Sequence, residues 1–209
     1  FLDPRSKELE RLEERTRADG RHLRELMLAL AQIIDLKSPY TREHSDRVSK
    51  IAAMMAKRMG LTQVEIDRIA LGAALHDIGK LGCPDCILDK PGALTNDEFE
   101  IIKEHPGRGA ALCGHIKSLE PVIPMIRWHH EDLDGSGYPD RLRGDQIPLE
   151  ARIVRIADYW DAITSLRSYR KPMPIEQARA TIEMECGHGK LDAAASRALF
   201  DCLADGSLA

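Results

Sequence analysis

A chain of 209 residues fits one domain with room for an extra helical segment. Its 43% hydrophobic content excludes disorder, and with only 4% aromatic residues the core has to be built from Leu, Ile, Val, Ala and Met. The 30 basic and 34 acidic residues leave a net charge of −4, which excludes a general basic surface for long nucleic acid but permits a small anionic ligand at a local cationic cluster.

Five cysteines, an odd number at irregular spacing, fit a reduced cytoplasmic setting better than a disulfide framework. Cys83-Pro-Asp-Cys86 is formally a CxxC pair, with no second pair to complete a zinc site, and reads as ordinary packing thiols. No apolar stretch approaches the roughly 20 residues needed to span a bilayer. The chain begins with Phe1, as expected of a piece of a longer protein with a regulatory domain upstream.

In chain order, residues 1–36 are expected to form an N-terminal helix. Leu2, Leu9, Leu12, Thr16, Asp19, Leu23, Leu26, Leu30 and Ile33 fall on the a and d positions of one heptad register. That spacing predicts a dimerising coiled coil, weakened around Thr16, Asp19 and Gly20; a lone helix packed on its own domain is the alternative. Ser38-Pro39-Tyr40-Thr41 breaks the helix, and Thr41 can cap the next one. From residue 37 to 209 the pattern predicts one all-α domain.

Its helices are expected at 42–59, 62–77, 96–104, 106–114, 119–130, 149–166, 174–186 and 192–204. Gly60 acts as a stop, Asn96 as a cap, and Pro106 suits a first helical turn. Strand patterns are absent, apart from a short possibility near 138–143. The turn-dense loop over 131–148 is long enough to be functional.

Ligand-type residues recur at the helix ends. His76-Asp77 follows the apolar run Leu71 to Leu75, where an unpaired carboxylate is unfavourable by several kcal/mol, so a partner or a metal is expected. His129-His130 follows Ile126-Arg127-Trp128; adjacent imidazoles point about 100° apart on a helix and reach one cluster only if it sits at the helix end. Asp158 is a carboxylate on an apolar helical face, and His44 and His105 stand at helix junctions. Singly, each reads as structural. Jointly, these seven nitrogen and oxygen donors suit a pair of divalent transition metals, iron or manganese before zinc, and paired metals most often serve phosphate-ester hydrolysis.

His44, His76-Asp77 and Asp158 resemble the HD superfamily of metal-dependent phosphohydrolases. The longer segments His76-Asp-Ile-Gly-Lys-Leu-Gly-Cys-Pro-Asp85, Lys90-Pro-Gly-Ala-Leu-Thr95, His129-His130-Glu131 and Asp134-Gly-Ser-Gly-Tyr-Pro139 are similar to those of its HD-GYP branch, bacterial phosphodiesterases of cyclic di-GMP. The resemblance runs from about residue 40 to 203. It implies an HD-type helical bundle in which His44, His76, Asp77 and Asp158 hold one metal, iron or manganese with zinc or nickel as alternatives. Asp77 would bridge to a second metal held by His105, His129 and His130. It further implies that Lys80 neutralises a phosphate oxygen as charge develops, that Gly135, Gly137 and Tyr138 shape the loop beside the nucleotide, and that Arg167 and Arg170 grip the other phosphate.

Some members of that family carry a glutamate where this chain has Tyr40 and bind a third metal, so two metals are expected here. Ser168 stands where a proline is usual between the two arginines, and Ala193 where a proline is usual after Asp192. The implied reaction is attack of metal-bridged hydroxide on phosphorus, giving pGpG, with a slower second cut to GMP left open. A catalytically weak cyclic-dinucleotide sensor and a different nucleotide phosphohydrolase are the alternatives. The intact ligand set argues against the first, and the Gly-Tyr-Pro loop with its paired arginines against the second.

Overall fold

The structure, a computed structural model, describes residues 22, 25–33, 35, 43–166 and 171–208. The described residues are helical with no strand, as the absence of period-two patterning predicts. Among the described residues from His44 onward, nine helices follow one another: α1 (His44–Arg58), α2 (Gln63–Leu75), α3 (Asp85–Leu88), α4 (Asn96–Lys103), α5 (His105–Cys113), α6 (Ile123–Trp128), α7 (Leu149–Thr164), α8 (Ile175–Gly187) and α9 (Ala193–Ala204). Single 3-10 turns run over Ile78–Gly82, Lys117–Val122 and Gly144–Gln146. None of the described helices is long and apolar enough to cross a membrane.

Local chemistry accounts for most boundaries. Thr62 and Glu65 form a reciprocal capping box on α2, and Thr95 and Glu98 form another on α4. Asn96 is therefore the first helical residue and not the cap: the carboxylate that completes the box stands three residues after Thr95. Gly60, with φ +79°, follows the end of α1. The stretch expected as one helix over 119–130 divides into a 3-10 turn and α6, because Pro121 and Pro124 withhold amides from a continuous ladder. The possible strand near 138–143 is loop, entered through a cis Tyr138–Pro139 peptide. The cap expected at Thr41 lies outside the described residues, as do most of the N-terminal heptad positions.

The helices enclose one aliphatic core, to which Trp160 and Phe200 are the aromatic contributors among its fully buried members. Val48, Ala52 and Met55 of α1, Ile69, Ala73 and Leu75 of α2, Met125 and Ile126 of α6, and Ile153, Ile156 and Ala157 of α7 all belong to this core. Helix α1 packs on α2, α7 and α9, while α6 packs on α2, α5 and α7. Met27 and Ala31 of the N-terminal helical segment are buried in the same core, whereas Leu26, Leu30 and Ile33 face outward. Asp35 ties that segment to α1 by accepting from the Ser45 amide at 3.0 Å and hydroxyl at 2.7 Å.

Candidate metal centre

Five helices deliver ligand-type side chains to one buried spot. His44 is the first residue of α1 and His105 the first of α5, while His76 and Asp77 leave α2 as the chain tightens into the 3-10 turn. His129 and His130 stand just beyond α6, so both adjacent imidazoles reach the cluster, as placement at a helix end requires. Asp158 projects from the middle of α7 among Ile156, Ala157 and Trp160. Gly79 allows the 3-10 turn to lie directly on α5: a Cβ there would overlap the His105 carbonyl oxygen and come within 2.6 Å of the Gly109 amide nitrogen.

All seven residues expected as ligands converge. Asp77, His105, His129 and His130 form one group of donor atoms and His44, His76 and Asp77 another, each lying within 4.8 Å. Asp158 borders the second group, its Oδ1 3.5 Å from His44 Nε2 and 3.8 Å from His76 Nε2. Asp77 stands between the groups. Its Oδ1 is 3.2 Å from His105 Nε2 and 4.0 Å from His129 Nε2, while its Oδ2 is 3.7 Å from His44 Nε2 and 3.4 Å from His76 Nε2.

The hydrogen bonds assign the ring tautomers. His76 Nδ1 contacts the Ala73 carbonyl at 2.6 Å, His105 Nδ1 the Ile102 carbonyl at 2.7 Å, and His129 Nδ1 the Ile126 carbonyl at 2.9 Å. His44 Nδ1 contacts Asp161 Oδ2 at 2.7 Å. Each contact requires the proton on Nδ1, so in the neutral rings the lone pairs sit on Nε2. Yet His44 Nε2 faces His76 Nε2 at 3.3 Å, and His105 Nε2 faces His129 Nε2 at 3.2 Å. Lone pairs opposed at that distance repel unless a proton or a cation lies between them. Asp77 Oδ1, buried and accepting no hydrogen bond, is a further acceptor without a proton to meet. The donor set fits two divalent cations sharing Asp77, and the outer partners of the four imidazoles are those that orient metal-binding histidines.

The electrostatics follow the same division. Burial disfavours charge on Asp77, but Lys80, His76 and His105 hold its carboxyl well below the usual range. Burial likewise works against charge on His76, and Asp77 and Asp158 overcome it, raising that imidazole to about 9. His129 and His130 go the other way, held well below the usual value by burial and the neighbouring imidazoles, with Arg155 adding to the effect at His130. Lys80 Nζ lies 2.5 Å from Asp77 Oδ2 with its side chain 24% exposed, which puts a cation at the solvent edge of the cluster.

A cavity of about 910 Å³ opens beside His130, between α4, α5 and the loop after α6. Phe99, Asp132, Gly137, Tyr138 and Arg155 line it. Gly137 is required by close approach, since a Cβ would run into the Asp132 amide and lie 2.5 Å from Glu131 Cα. The Tyr138 ring lies 4.8 Å from that of His130, and burial pushes its hydroxyl up, leaving it neutral. Arg167, Arg170 and Tyr40 lie outside the described residues.

Three residues given no role by the sequence also shape the site. Asp161 orients His44, Glu131 anchors the loop, and Arg155 enters the cavity wall. Asp161 and Arg155 each stand three positions from Asp158, on the same face of α7, which is the signal that could have found them.

The HD domain family model matches residues 29–195. The cyclic di-GMP phosphodiesterase response regulator RpfG of Xanthomonas campestris pv. campestris is 41% identical over 166 residues, which cover 78% of this chain and 44% of that protein. The 3'3'-cGAMP-specific phosphodiesterase 3 of Vibrio cholerae is 38% identical over 165 residues, covering 79% of this chain and 36% of that protein. The chain thus spans less than half the length of these curated relatives. Among solved structures, an HDG"Y"P protein from Bdellovibrio bacteriovorus superposes with a TM-score of 0.64 at 25% identity, covering 80% of this chain and 53% of that one. Fold, motif order and family match converge, and the chain belongs to the HD domain family, within which its motifs resemble the HD-GYP branch.

Proposed function

We propose that the chain is a metal-dependent phosphodiesterase that hydrolyses cyclic di-GMP to linear pGpG, with a slower second cut to GMP. The observation that carries this reading is the pair of opposed Nε2 contacts, at 3.3 and 3.2 Å, on either side of Asp77. Buried rings with fixed Nδ1 protons call for a proton or a cation between them, and two cations sharing a carboxylate suit displacement at phosphorus. In this reading His44, His76, Asp77 and Asp158 hold one ion, and Asp77 with His105, His129 and His130 the other. The ions are iron or manganese, from the mixed nitrogen and oxygen donors, with zinc or nickel as alternatives. When bound, they would supply an activated water and offset the charge that develops on the phosphate oxygens.

The chain's own residues account for the remaining steps. Lys80, at the edge of the cluster, meets a phosphate oxygen as its charge grows. Gly137 lets the loop backbone approach the nucleotide, and Tyr138 covers His130 from the cavity side. Arg167 and Arg170 grip the second phosphate, a role resting on their motif alone. Outward-facing Leu26, Leu30 and Ile33 support a homodimer through the N-terminal helix, and a regulatory domain upstream would act through it. The odd number of cysteines at irregular spacing supports a cytoplasmic setting. A preference for the mixed cyclic GMP-AMP is the second reading, supported by 38% identity to a relative named for that substrate.

The test is hydrolysis of cyclic di-GMP by protein loaded anaerobically with Fe(II) or Mn(II), with products separated by chromatography. The expected result is pGpG, lost in His76→Ala and Asp77→Ala while circular dichroism shows the fold intact. Binding without product at saturating metal would exclude the enzyme and leave a sensor.

A further inference from the structure

The cavity wall holds a charged pair to which the hydrolytic reading gives no task. Arg155 Nε and Nη2 both donate to Asp132 Oδ1, at 3.1 and 2.9 Å, and the guanidinium lies over the Tyr159 ring, 5.4 Å from its centroid. Both side chains line the cavity although they are only 19% and 13% exposed. Backbone contacts fix Asp132 further: its carbonyl accepts the Gly135 amide at 2.8 Å, and Gly137 packs directly on its own amide. Asp132 Oδ2, by contrast, has among the described residues only the Ser136 hydroxyl at 3.4 Å, long for a bond between oxygens. A carboxylate oxygen held this firmly retains acceptor capacity on the cavity side.

A fixed carboxylate is unfavourable beside a ligand that carries phosphates unless it meets donors. Guanine presents N1–H and the N2 amino group side by side, and one carboxylate accepts from both. Adenine presents a lone pair at N1, which would oppose the carboxylate oxygen. Phe99 on α4 and Tyr138 on the loop, their rings 6.5 Å apart at 78°, supply the flat apolar surfaces on which a base can stack. The cavity volume of about 910 Å³ suits a nucleotide.

We infer that Asp132 is the guanine-reading residue of this cavity and that Arg155 is the positioning residue that holds it. This deepens the cyclic-dinucleotide reading and rests on it for the place of the base beside the metal centre. Arg155 keeps the carboxylate aimed, and its oxygen rejects adenine by opposed lone pairs as well as accepting guanine.

The experiment measures binding of 5′-GMP and 5′-AMP to the purified protein by calorimetry, alongside turnover of cyclic di-GMP and cyclic di-AMP with Mn(II). The wild type is expected to favour GMP by about 10-fold or more, as a site built to hydrogen-bond a donor edge does. Asp132→Asn should bring the ratio to about 2-fold or less, and Arg155→Lys, which keeps the charge but loses the fork, to about 3-fold. A defect of fold alone would weaken both nucleotides and leave their ratio unchanged. Equal wild-type affinity for the two nucleotides, or an unchanged ratio in Asp132→Asn, overturns the inference. A protein that prefers GMP yet cleaves no cyclic dinucleotide overturns the phosphodiesterase reading and supports this one; cleavage without guanine preference does the reverse.

Discussion

His44 Nδ1 and Asp161 Oδ2 lie 2.7 Å apart, joining the first residue of α1 to the last third of α7. The same carboxylate receives Arg47 Nε at 2.6 Å on Oδ1 and Arg47 Nη2 at 3.0 Å on Oδ2. Burial disfavours its charge, but His44 and Arg47 hold it well below the usual carboxylate range. Asp161 is thus an ionised anchor that points the His44 ring, and its Nε2, at the cluster.

Replacing Asp161 should therefore act on the metal centre without touching a ligand. Asp161→Asn removes the charge that holds the Nδ1 proton and weakens the hold of Arg47. Metal affinity, followed by titration with Mn(II), is expected to fall by about 10- to 100-fold, the usual loss for an outer partner of a metal-binding histidine. Asp161→Ala should also lower the unfolding free energy of the metal-free protein by about 1–3 kcal/mol, since His44 Nδ1 loses its buried acceptor. Unchanged metal affinity in both variants would show that His44 needs no such anchor.

Much of this candidate site was legible in the residues because each expected ligand carries a local mark. His76-Asp77 interrupts an apolar helix, His129-His130 ends one, His105 precedes a proline, and Asp158 breaks an apolar face. What pattern could not supply was pairing over distance. His44 and Asp161 are 117 positions apart, and Arg155 and Asp132 are 23 apart. No periodicity records which oxygen a ring nitrogen will face. The three imidazole contacts to carbonyls three residues back were equally hidden, since they arise only when the helix ends there or begins anew. Helix bounds failed where two signals competed, as at Thr95 and Asn96, both good caps, of which only Thr95 has a glutamate at the right spacing.

Glu131 supports a second prediction. Its carboxylate is buried and accepts the amides of Asp140 and Arg141 on Oε1, at 2.7 and 3.0 Å, and of Leu142 on Oε2, at 3.0 Å. Burial pushes its carboxyl up, and those three amides pull it back. Arg127 and Trp128 grip Asp140 from the end of α6, each contact at 2.7 Å, so the loop is fastened from both sides. Glu131→Gln puts an amide NH2 where an acceptor is needed. The expected loss is about 1–3 kcal/mol of stability, with faster hydrogen exchange at residues 140–142. Under the proposed activity, substrate KM should rise more than kcat falls, because the loop lines the cavity while the cluster of His and Asp side chains stays in place. Unaltered exchange at those amides would exclude Glu131 as the fastener.

The N-terminal helical segment gives the third. Met27 and Ala31 are 7% and 2% exposed and belong to the core, whereas Leu26, Leu30 and Ile33 on the same segment are 62%, 41% and 56% exposed. One face is therefore committed to this domain, and the face carrying the a and d residues is left for another helix. A second copy fits best, because the 3-4 spacing that selects Leu26, Leu30 and Ile33 is that of a two-stranded seam. Leu26→Glu with Leu30→Glu should yield a monomer by light scattering while leaving the folded domain within about 0.5 kcal/mol, as for other surface changes. Met27→Glu should instead unfold the domain, since it places an unpaired charge in the core. A wild-type protein that remains monomeric at high concentration would remove the dimer and, with it, the route by which an upstream domain could reach Asp35, Ser45 and His44.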